Sequence, residues 1–306
     1  MSEVVLRVDD LVKDYDAYRA VDKISFDIKR GQVLGLLGPN GAGKTTTIQI
    51  LTGITNPSAG KIAYFDQDFS RHQQASLQRI NFTSAYNTLL GRIPVIENLM
   101  TFAGLYDVAN RRSKIAELLE KFEVSHLAGS LYKDLSAGER TRVNLAKSLL
   151  NDPELILMDE PTASLDPDIA DKTLTWIEEL RADRNLSILY TSHNMAEVER
   201  ICDEVIFLDK GKVVSRGTPS DHTSKLSEVE VKLYFKGSDT DLSKLLDANK
   251  VVHNFPADGL VVIQTKKDRI ATIISLVVEA GFKVTDTEVN KPDLEQVFLE
   301  IARSKK

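Results

Sequence analysis

The stretch GPNGAGKTT, residues 38–46, decides the fold of this chain. It fits the pattern G-x-x-x-x-G-K-[ST] and has the sequence context that this pattern needs, because the apolar run QVLGLL (32–37) precedes it and the helix-like segment TTTIQILTG (45–53) follows it. Its glycines let the backbone turn so that consecutive N–H groups point at a phosphate. A glycine-rich turn that binds nothing is the alternative, but the strand, the spacing, the lysine and the threonine together favour a phosphate-binding loop.

The side chains of this loop predict a site for a nucleotide and its metal ion. Lys44 is expected to reach the β and γ oxygens, and the Thr45 hydroxyl is expected to bind Mg²⁺. The expected loop contacts are Gly38, Asn40, Gly41, Gly43, Lys44, Thr45 and Thr46.

The composition limits what the chain can be. With 306 residues, 42% of them hydrophobic, it can bury a full core and divide into two domains. A net charge of −6 argues against a nucleic-acid partner bound through a basic face, and the single cysteine, Cys202, excludes an internal disulfide and favours a reducing compartment. No apolar run reaches the roughly 18 residues of a membrane span. We therefore expect a soluble chain that contacts a membrane only through a partner.

Hydrophobic periodicity predicts a mainly parallel sheet. Alternation over 3–8 and 22–29 is typical of half-buried strands and indicates a small antiparallel sheet near the N-terminus. The pattern is helical from 95 to 127. The elements expected after it are a helix from 136, the strand ELILMDEP (154–161), a helix over 168–183 and the strands LSILYTS (186–192) and EVIFLDKGKVV (204–214). Strands that alternate with helices imply a sheet covered on both faces.

The turn-rich segment RGTPSDHTS (216–224) ends that pattern and predicts a domain boundary. The residues beyond it follow the order β-α-β-β-α-β, with one more helix after Pro292. This is the split βαβ order of small ferredoxin-like domains. We therefore expect an α+β accessory domain over residues 218–306.

Two carboxylates and a histidine follow two of the predicted buried strands. Asp159 and Glu160 come at the end of Leu155–Met158, and His193 comes just after the next strand. Because parallel sheets bind ligands at the carboxyl ends of their strands, Asp159 is expected beside the Mg²⁺ that Thr45 holds. Glu160 would act as the general base for the attacking water, and His193 would donate a hydrogen bond to the γ-phosphate. The simpler alternatives are a strand terminated by Asp-Glu-Pro and a hydrogen-bonding loop histidine.

A second anion site is predicted in DLSAGERTRVNLAKSLLN (134–151), far from the first in sequence. Ser136 opens a helix, and Glu139 is placed to complete a capping box. The unsatisfied N–H groups of the first turn, with Ser136 and the backbone of Gly138, can bind an anion. A helix cap without a ligand is the alternative, and such a cap stabilises a helix by roughly 1 kcal/mol.

The motifs GPNGAGKTT, LSAGER, LILMDEP, SLD (164–166) and His193 occur in an order and spacing that resemble those of the ATP-binding cassette (ABC) ATPases, over residues 4–217. The resemblance implies an α/β P-loop NTPase fold with a mainly parallel sheet, an N-terminal antiparallel β subdomain and a helical subdomain at about 82–150, all within a nucleotide-binding domain of residues 1–217. It also implies ATP hydrolysis with Mg²⁺ in a head-to-tail homodimer or heterodimer. Each ATP would then touch the loop of one subunit and the LSAGER helix of the other.

The resemblance also implies roles for individual residues. The interface contacts that it implies are Ser136, Gly138, Glu139 and Asp166. We expect that only this role requires glycine at position 138, because a side chain there would block close approach to the phosphate. Tyr15 would stack on adenine, with Tyr18 as the second choice.

One family feature is missing from this sequence. The resemblance implies a glutamine near Ala85 that reaches Mg²⁺ and the attacking water, but no glutamine occurs between 79 and 95. Ser84 or Asn87 could substitute through a hydroxyl or an amide. Because the expected base and histidine are present, hydrolysis is still expected.

Three functions fit an ABC ATPase of this kind: the energising subunit of a transporter, a soluble ATPase that acts on ribosomes or DNA, and a regulatory module that holds ATP without turnover. A single cassette without a long coiled coil favours the transporter, and the expected base opposes the third function. The tail PDLEQVFLEIARS (292–304) resembles the C-terminal extension of export cassettes, so export is expected and import is the alternative. The expected partners are membrane-spanning permease subunits, and the expected location is cytoplasmic, peripheral on the inner face of the cell membrane.

Overall fold

The computed structural model describes residues 3–16, 18–85, 89–224 and 228–290, together with Leu294, Gln296 and Val297. The strands, in chain order, are β1 (Val4–Tyr15), β2 (Tyr18–Lys29), β3 (Val33–Leu37), β4 (Ala59–Tyr64), β5 (Gln67–Asp68), β6 (Ile80–Ser84), β7 (Leu155–Asp159), β8 (Ser187–Thr191), β9 (Glu204–Asp209), β10 (Lys212–Gly217), β11 (Glu228–Lys236), β12 (Val252–Ala257), β13 (Leu260–Lys266) and β14 (Lys283–Asn290). The helices are α1 (Lys44–Leu51), α2 (Gln73–Arg79), α3 (Val95–Leu105), α4 (Arg111–Lys121), α5 (Ala137–Ser148), α6 (Pro167–Arg184), α7 (Met195–Ile201), α8 (Pro219–Ser224), α9 (Asp239–Ala248) and α10 (Ile270–Glu279), with short 3₁₀ turns at Ser125–Leu127, Tyr132–Asp134 and Lys267–Arg269. The chain divides into two compact units between Pro219 and Ser220.

The first unit contains two sheets. The antiparallel sheet has the strand order β2-β1-β4-β5, and the other sheet has the order β10-β9-β3-β8-β7-β6. In the second sheet β9, β3, β8, β7 and β6 pair in parallel, and β10 pairs with β9 in antiparallel fashion. The residues that follow β3, β6, β7 and β8 therefore lie at one edge of the sheet, which is where α/β proteins bind their ligands.

Burial explains why the parallel strands are continuous apolar runs in the sequence. Every residue of β3 and of β8 is buried. Leu34 and Leu157 of the parallel sheet pack in the same core as Val5 and Phe26 of the antiparallel sheet. A strand covered on both faces has no solvent-facing positions, so the period of two disappears from its sequence.

The helical stretches predicted after residue 95 are confirmed as α3, α4 and α5. Val143, Ala146 and Leu150, which share one face of the α5 segment, are fully buried. Phe122, directly after α4, meets Trp176 of α6 edge to face with 5.5 Å between ring centroids. This aromatic contact joins the end of α4 to α6, the helix between β7 and β8 in the chain.

Residues 52–94 differ most from the sequence-based expectation, which placed the helical subdomain from about residue 82. Residues 80–84 instead form β6, which pairs with β7 at the edge of the parallel sheet, and the first helix after it begins at Val95. The reason is that β6 contains buried polar residues, Asn81 and Thr83, so its sequence is neither apolar throughout nor alternating. Strands β1 and β2 are also longer than the predicted 3–8 and 22–29, with irregular pairing along their length.

The second unit has the predicted ferredoxin-like order. Its strands form an antiparallel sheet in the order β12-β13-β11-β14, and α9 and α10 contribute Leu242, Leu246, Ile273 and Val277 to its core. Of the helix predicted after Pro292, the described residues Leu294 and Val297 are buried, and the others apart from Gln296 lie outside the described residues. Among the described residues, no helix has both the length and the apolar character to cross a lipid bilayer.

Candidate active site

The loop between β3 and α1 depends on glycine for steric reasons within the protein itself. A Cβ on Gly38 would lie 2.3 Å from the Leu208 carbonyl oxygen, and a Cβ on Gly43 would lie 2.5 Å from the Ala20 carbonyl oxygen. Gly41 has open space around it but a φ of 80°, which other residues rarely adopt. The curved path of the loop therefore needs these glycines before any ligand is considered.

Helix α1 begins with an uncompensated positive end. Its N-cap, Gly43, offers no side chain, and no acidic residue lies in its first turn. The N–H groups of the first turn therefore have no helical acceptor and favour an anion. Thr45 is exposed and Thr46 is half-buried at this end, and Asn40 is exposed just before it.

The Lys44 side chain folds back onto the loop. It is only 8% exposed, and its Nζ donates to the carbonyl oxygens of Gly38 at 2.6 Å and Pro39 at 3.3 Å. Burial lowers the pKa of Lys44, while the nearby charges of Glu160 and Asp159 act in the opposite direction. The structure thus brings the predicted lysine and the two predicted carboxylates into one electrostatic site.

Thr191, at the end of β8, holds the two carboxylate residues in place. It stands opposite Asp159 in the β7–β8 pairing, and its Oγ1 donates to Asp159 Oδ1 at 2.6 Å. The Glu160 N–H donates to both the carbonyl oxygen and Oγ1 of Thr191, at 3.0 and 3.1 Å. Glu160 has a φ of 51°, in the left-handed region that is sparsely used by residues other than glycine, so its backbone is constrained where β7 ends.

Glu160 and His193 form a direct pair. His193 Nε2 lies 2.6 Å from Glu160 Oε1, and the two side chains are 51% and 17% exposed. Because a carboxylate only accepts hydrogen bonds, the N–H of the histidine is on Nε2 in this pair. The predicted base and the predicted phosphate-contacting histidine therefore bind each other in this structure.

A cavity of about 520 Å³ lies beside this pair. Glu160, His193, Leu165 and Pro167 line it, and none of residues 38–46 does. Asp166 itself is exposed and precedes α6 as its N-cap, without a side-chain hydrogen bond to the helix. The two neighbours of Asp166 in the chain thus line the cavity, while Asp166, the residue predicted at a dimer seam, does not.

The capping box predicted at α5 is confirmed. The Glu139 N–H donates to Ser136 Oγ at 3.3 Å, and both the N–H and the hydroxyl of Ser136 donate to Glu139 Oε2 at 2.8 Å. These hydrogen bonds from Ser136 hold the pKa of Glu139 below its usual value. Among the described residues, no hydrogen bond or ion pair joins this cap to residues 38–46 of the same chain.

The expectation that only a ligand requires glycine at position 138 stays a prediction, and the structure adds a packing contact there. A Cβ on Gly138 would lie 3.1 Å from Cγ2 of Ile169, on α6 of the same chain. This distance is tighter than ordinary van der Waals contact, so Ile169 would have to shift by a small amount to make room for a side chain. The sequence contained no signal for this contact, because it depends on how two distant helices pack.

Tyr15 and Tyr18 stand opposite each other where β1 turns into β2. Both rings are exposed, at 43% and 56%. The Tyr18 hydroxyl donates to the Gly41 carbonyl oxygen at 3.2 Å, and Lys13 Nζ lies 4.9 Å from the centroid of the Tyr15 ring. Tyr18 is thereby tied to the phosphate-binding loop, and the assignment of Tyr15 to adenine stays a prediction.

Ala85 follows the last residue of β6, Ser84, which is paired with Asp159. The position that the resemblance assigns to a glutamine is therefore at the ligand-binding edge of the sheet, and it carries only a methyl group. The alternative Asn87 lies outside the described residues.

The donor set at this edge suits Mg²⁺. The Thr45 hydroxyl and the Asp159 carboxylate are oxygen ligands, which Mg²⁺ prefers. In the described ranges no group of three or more His, Cys, Asp or Glu side chains could hold a metal by itself. This fits an ion that takes its other ligands from a nucleotide and water, as Mg²⁺ commonly does.

Comparison with known proteins identifies the family. The family model described as "ABC transporter" matches residues 21–163. The bacitracin transport ATP-binding protein BcrA of Bacillus licheniformis is 30% identical over 300 residues, which cover 97% of this chain and 97% of that protein. The lipopolysaccharide export system ATP-binding protein LptB of Escherichia coli is 36% identical over 76% of this chain and 98% of its own length. The Nod factor export ATP-binding protein I of Ralstonia nicotianae is 38% identical over 71% and 68% of the two chains.

Comparison with solved structures gives the same fold. The chain is similar to cbiO1 of Clostridium perfringens, part of the ABC transporter complex cbiONQ, with a TM-score of 0.66 and 27% identity over 73% of this chain and 92% of that one. It also shares the fold of the ATP-binding cassette MJ0796 in a dimeric post-hydrolysis state bound to ADP and Pi, with a TM-score of 0.62 and 22% identity over 70% of this chain and 98% of that one.

The fold, the loop and the carboxylate edge define a P-loop ATPase of the cassette type. The chain belongs to the ABC transporter family, as one of its ATP-binding, ATP-hydrolysing subunits. The prediction of an ABC transporter ATPase subunit is confirmed by these relatives, two of which are export proteins by name.

Proposed function

We propose that this chain is one half of a head-to-tail dimer of nucleotide-binding subunits that powers export through separate membrane-spanning permease subunits. The observation that carries the ATPase part is the Glu160–His193 pair at 2.6 Å, at the same sheet edge as the buried Lys44. A base, a hydrogen-bond donor and a cation at one edge are what ATP hydrolysis needs.

In this proposal the chain's own residues position ATP. The N–H groups at the start of α1 and the Lys44 ammonium bind the β- and γ-phosphates. Thr45 and Asp159 would hold Mg²⁺, which when bound neutralises part of the phosphate charge. Tyr15 would stack on the adenine.

The Glu160–His193 contact changes when ATP binds. The His193 Nε2–H moves its hydrogen bond from Glu160 Oε1 to the γ-phosphate. Glu160 Oε1 is then able to accept a proton from the attacking water. The pair thus couples the presence of γ-phosphate to the release of the base.

The second phosphate contact comes from a neighbouring subunit. Ser136 is exposed at the capped start of α5, and Gly138 follows it without a side chain. These groups and Glu139 would meet the γ-phosphate bound to the opposite loop, with Asp166 at the seam. The partner is either a second copy of this chain or a related subunit.

The export direction and the location rest on the relatives. BcrA, LptB and the Nod factor protein are transport or export ATP-binding proteins by name. We infer that this chain binds permease subunits at the cytoplasmic face of a membrane and has no nucleic-acid partner. Its net charge of −6 is in keeping with that inference.

Substitution of the base tests the proposal. Glu160→Gln should bind ATP but hydrolyse it roughly 100-fold more slowly or worse, because general base catalysis is lost. With magnesium and ATP it should accumulate as a dimer, measured by size-exclusion chromatography with light scattering. Glu120→Gln, an exposed change on α4, is the matched control and should behave like the wild type.

Two outcomes would count against the proposal. A Glu160→Gln protein that turns over ATP normally would remove the base assignment. A protein that stays monomeric with magnesium and ATP at every concentration would remove the sandwich. ATP binding without turnover in the wild type would instead favour a regulatory module.

A further inference from the structure

A buried carboxylate outside the predicted site, Glu197 on α7, gathers hydrogen bonds from several directions. It is only 6% exposed. Its Oε2 accepts from Thr162 Oγ1 at 2.7 Å, from Tyr190 Oη at 2.8 Å and from Ser192 Oγ at 2.7 Å. Its Oε1 accepts from Asn194 Nδ2 at 3.3 Å. Four donors on one buried carboxylate form a fully satisfied polar centre.

Three of the four donors belong to the two loops that carry the proposed catalytic pair, and the fourth, Tyr190, is in β8. Thr162 lies two residues after Glu160, and Ser192 and Asn194 are the immediate neighbours of His193. The Asn194 N–H also donates to Ser192 Oγ at 3.0 Å, which closes the loop around His193. Both loops are thus fixed to the same carboxylate, one on each side of the 2.6 Å contact between their functional side chains.

The helix that carries Glu197 and the ring of Tyr190 complete its surroundings. Glu197 lies in the first turn of α7, where the helix dipole favours an anion. Asn194 is the N-cap of that helix, since its side chain accepts from the Ala196 N–H. Burial and the charge of Glu197 raise the pKa of Tyr190, so the phenol stays protonated and remains a donor.

We propose that Glu197 is a positioning residue for ATP hydrolysis, which holds the loops after β7 and β8 in the register that places His193 Nε2 against Glu160. This inference rests on the proposed roles of Glu160 and His193. Glu197 acts through Thr162 on one loop and through Ser192 and Asn194 on the other. A loss of this centre lets the two loops move apart by fractions of an ångström, and rates are sensitive to such displacements.

Three variants loosen the centre in different ways. Glu197→Gln keeps the shape but removes the charge. Thr162→Val and Ser192→Ala each remove one donor, on the Glu160 side and on the His193 side. Thr173→Val is the matched control, because the Thr173 hydroxyl is also buried but donates to the Ile169 carbonyl oxygen of its own helix.

Steady-state kinetics and nucleotide titration measure the effect. We expect kcat to fall roughly 10- to 100-fold in the three variants, because the reacting groups are displaced. The affinity for ADP should stay unchanged, since ADP lacks the γ-phosphate that His193 would contact. Thr173→Val should keep the wild-type kcat.

A purely structural role predicts something different, namely a lower melting temperature with a normal kcat per folded molecule. To separate the two, Ser192→Ala is combined with His193→Ala. If Ser192 acts through His193, its substitution has no further effect on kcat in the His193→Ala protein; full additivity would overturn the proposal.

The remaining outcomes are also decisive. Wild-type kcat in Thr162→Val and Ser192→Ala would overturn the inference even if Glu197→Gln failed to fold. If the wild type hydrolyses ATP and all three variants match it, only this inference fails. If the wild type itself shows no hydrolysis, the proposed function fails first.

Discussion

Ala85 is the residue at which this chain departs from its family resemblance. It follows Ser84, the partner of Asp159 in the β6–β7 pairing, so it is well placed to contact a ligand at the sheet edge. A methyl group provides neither a donor nor an acceptor for a metal-bound water. Under the proposed function, other groups must orient the attacking water, and the sequence suggested Ser84 or Asn87 for this role beside the base Glu160.

Restoring an amide at this position tests that argument. Ala85→Gln should raise the rate of ATP hydrolysis, by up to about tenfold, because a side chain that orients the attacking water supports the general base. A coupled phosphate-release assay measures the rate. Ala280→Gln, an exposed change in the second unit, controls for the added amide. An unchanged rate in Ala85→Gln would direct attention to Ser84 or Asn87.

At the scale of elements, α5 carries a buried lysine, Lys147, in its last turn, and this lysine joins the helix to β6. Lys147 Nζ donates to Asn81 Oδ1 at 3.0 Å and to the Phe82 carbonyl oxygen at 3.1 Å, and it lies 5.2 Å from the centroid of the Phe102 ring. Burial lowers the pKa of Lys147 to about 8. The helix that begins at the second predicted anion site is thus linked to the strand that precedes Ala85.

This lysine makes stability depend on pH. The folded chain releases the Lys147 proton near pH 8, whereas the unfolded chain keeps it up to the ordinary pKa of 10.5. Between these values the unfolded state binds more protons, so the free energy of unfolding contributed by Lys147 rises with pH. Lys147→Met should abolish that rise and be more stable than the wild type near neutral pH, by about 1 kcal/mol, because a buried charge is removed.

Urea unfolding below and above this pH window provides the measurement. The quantity of interest is the difference in free energy of unfolding between variant and wild type, which should shrink as the pH rises. Lys244→Met, an exposed change on α9, should leave the pH profile unaltered. A difference that is constant across the window would contradict the assignment to Lys147.

The sequence could predict those helices and strands in which the pattern of apolar and polar residues follows directly from which positions are buried. Helix α5 shows its apolar face and its capping box, and β3, β7 and β8 show uninterrupted apolar runs. Strand β6 could not be found this way, because Asn81 is buried only by virtue of hydrogen bonds with Asn151 and Lys147, which lie 70 and 66 residues away. Partners that distant leave no pattern in the strand itself.

The same limit applies to the site. Lys44, Asp159, Glu160 and His193 could be found from sequence because each follows a recognisable strand. Thr191 and Glu197 could not, since their contacts depend on the register between β7 and β8 and on the fold of α7. A glutamate in the first turn of a helix is also a common feature of exposed helices, so Glu197 carried no distinguishing signal.

At the scale of the whole molecule, each ATP in the proposed dimer contacts two chains, one at each predicted anion site. Mixing subunits tests this arrangement. Lys44→Ala disables the loop, and Gly138→Asp disables the start of α5, so each variant alone should be inactive. A mixed dimer keeps one complete site, and random mixing should restore about a quarter of the wild-type rate, since half of the dimers are mixed and each has one of two sites.

The measurement is ATP turnover of the separate and combined variants at equal total protein. Because Gly138→Asp also crowds Ile169, its circular dichroism and melting temperature must first match those of a folded protein. Complementation would support ATP contacts across the interface. Combined variants that stay as inactive as the separate ones would indicate that each chain completes its own site.

The position of Lys44 has a consequence for how tightly nucleotide is held. Its ammonium group already donates to the carbonyl oxygens of Gly38 and Pro39, and the residue is only 8% exposed to solvent. When a phosphate arrives, the ion exchanges one set of oxygen partners for another and has no full hydration shell to shed. The attraction between the two charges then develops in surroundings of low polarity, where it is stronger than at an open surface. Burial of this lysine during folding thereby prepares the loop to bind an anion.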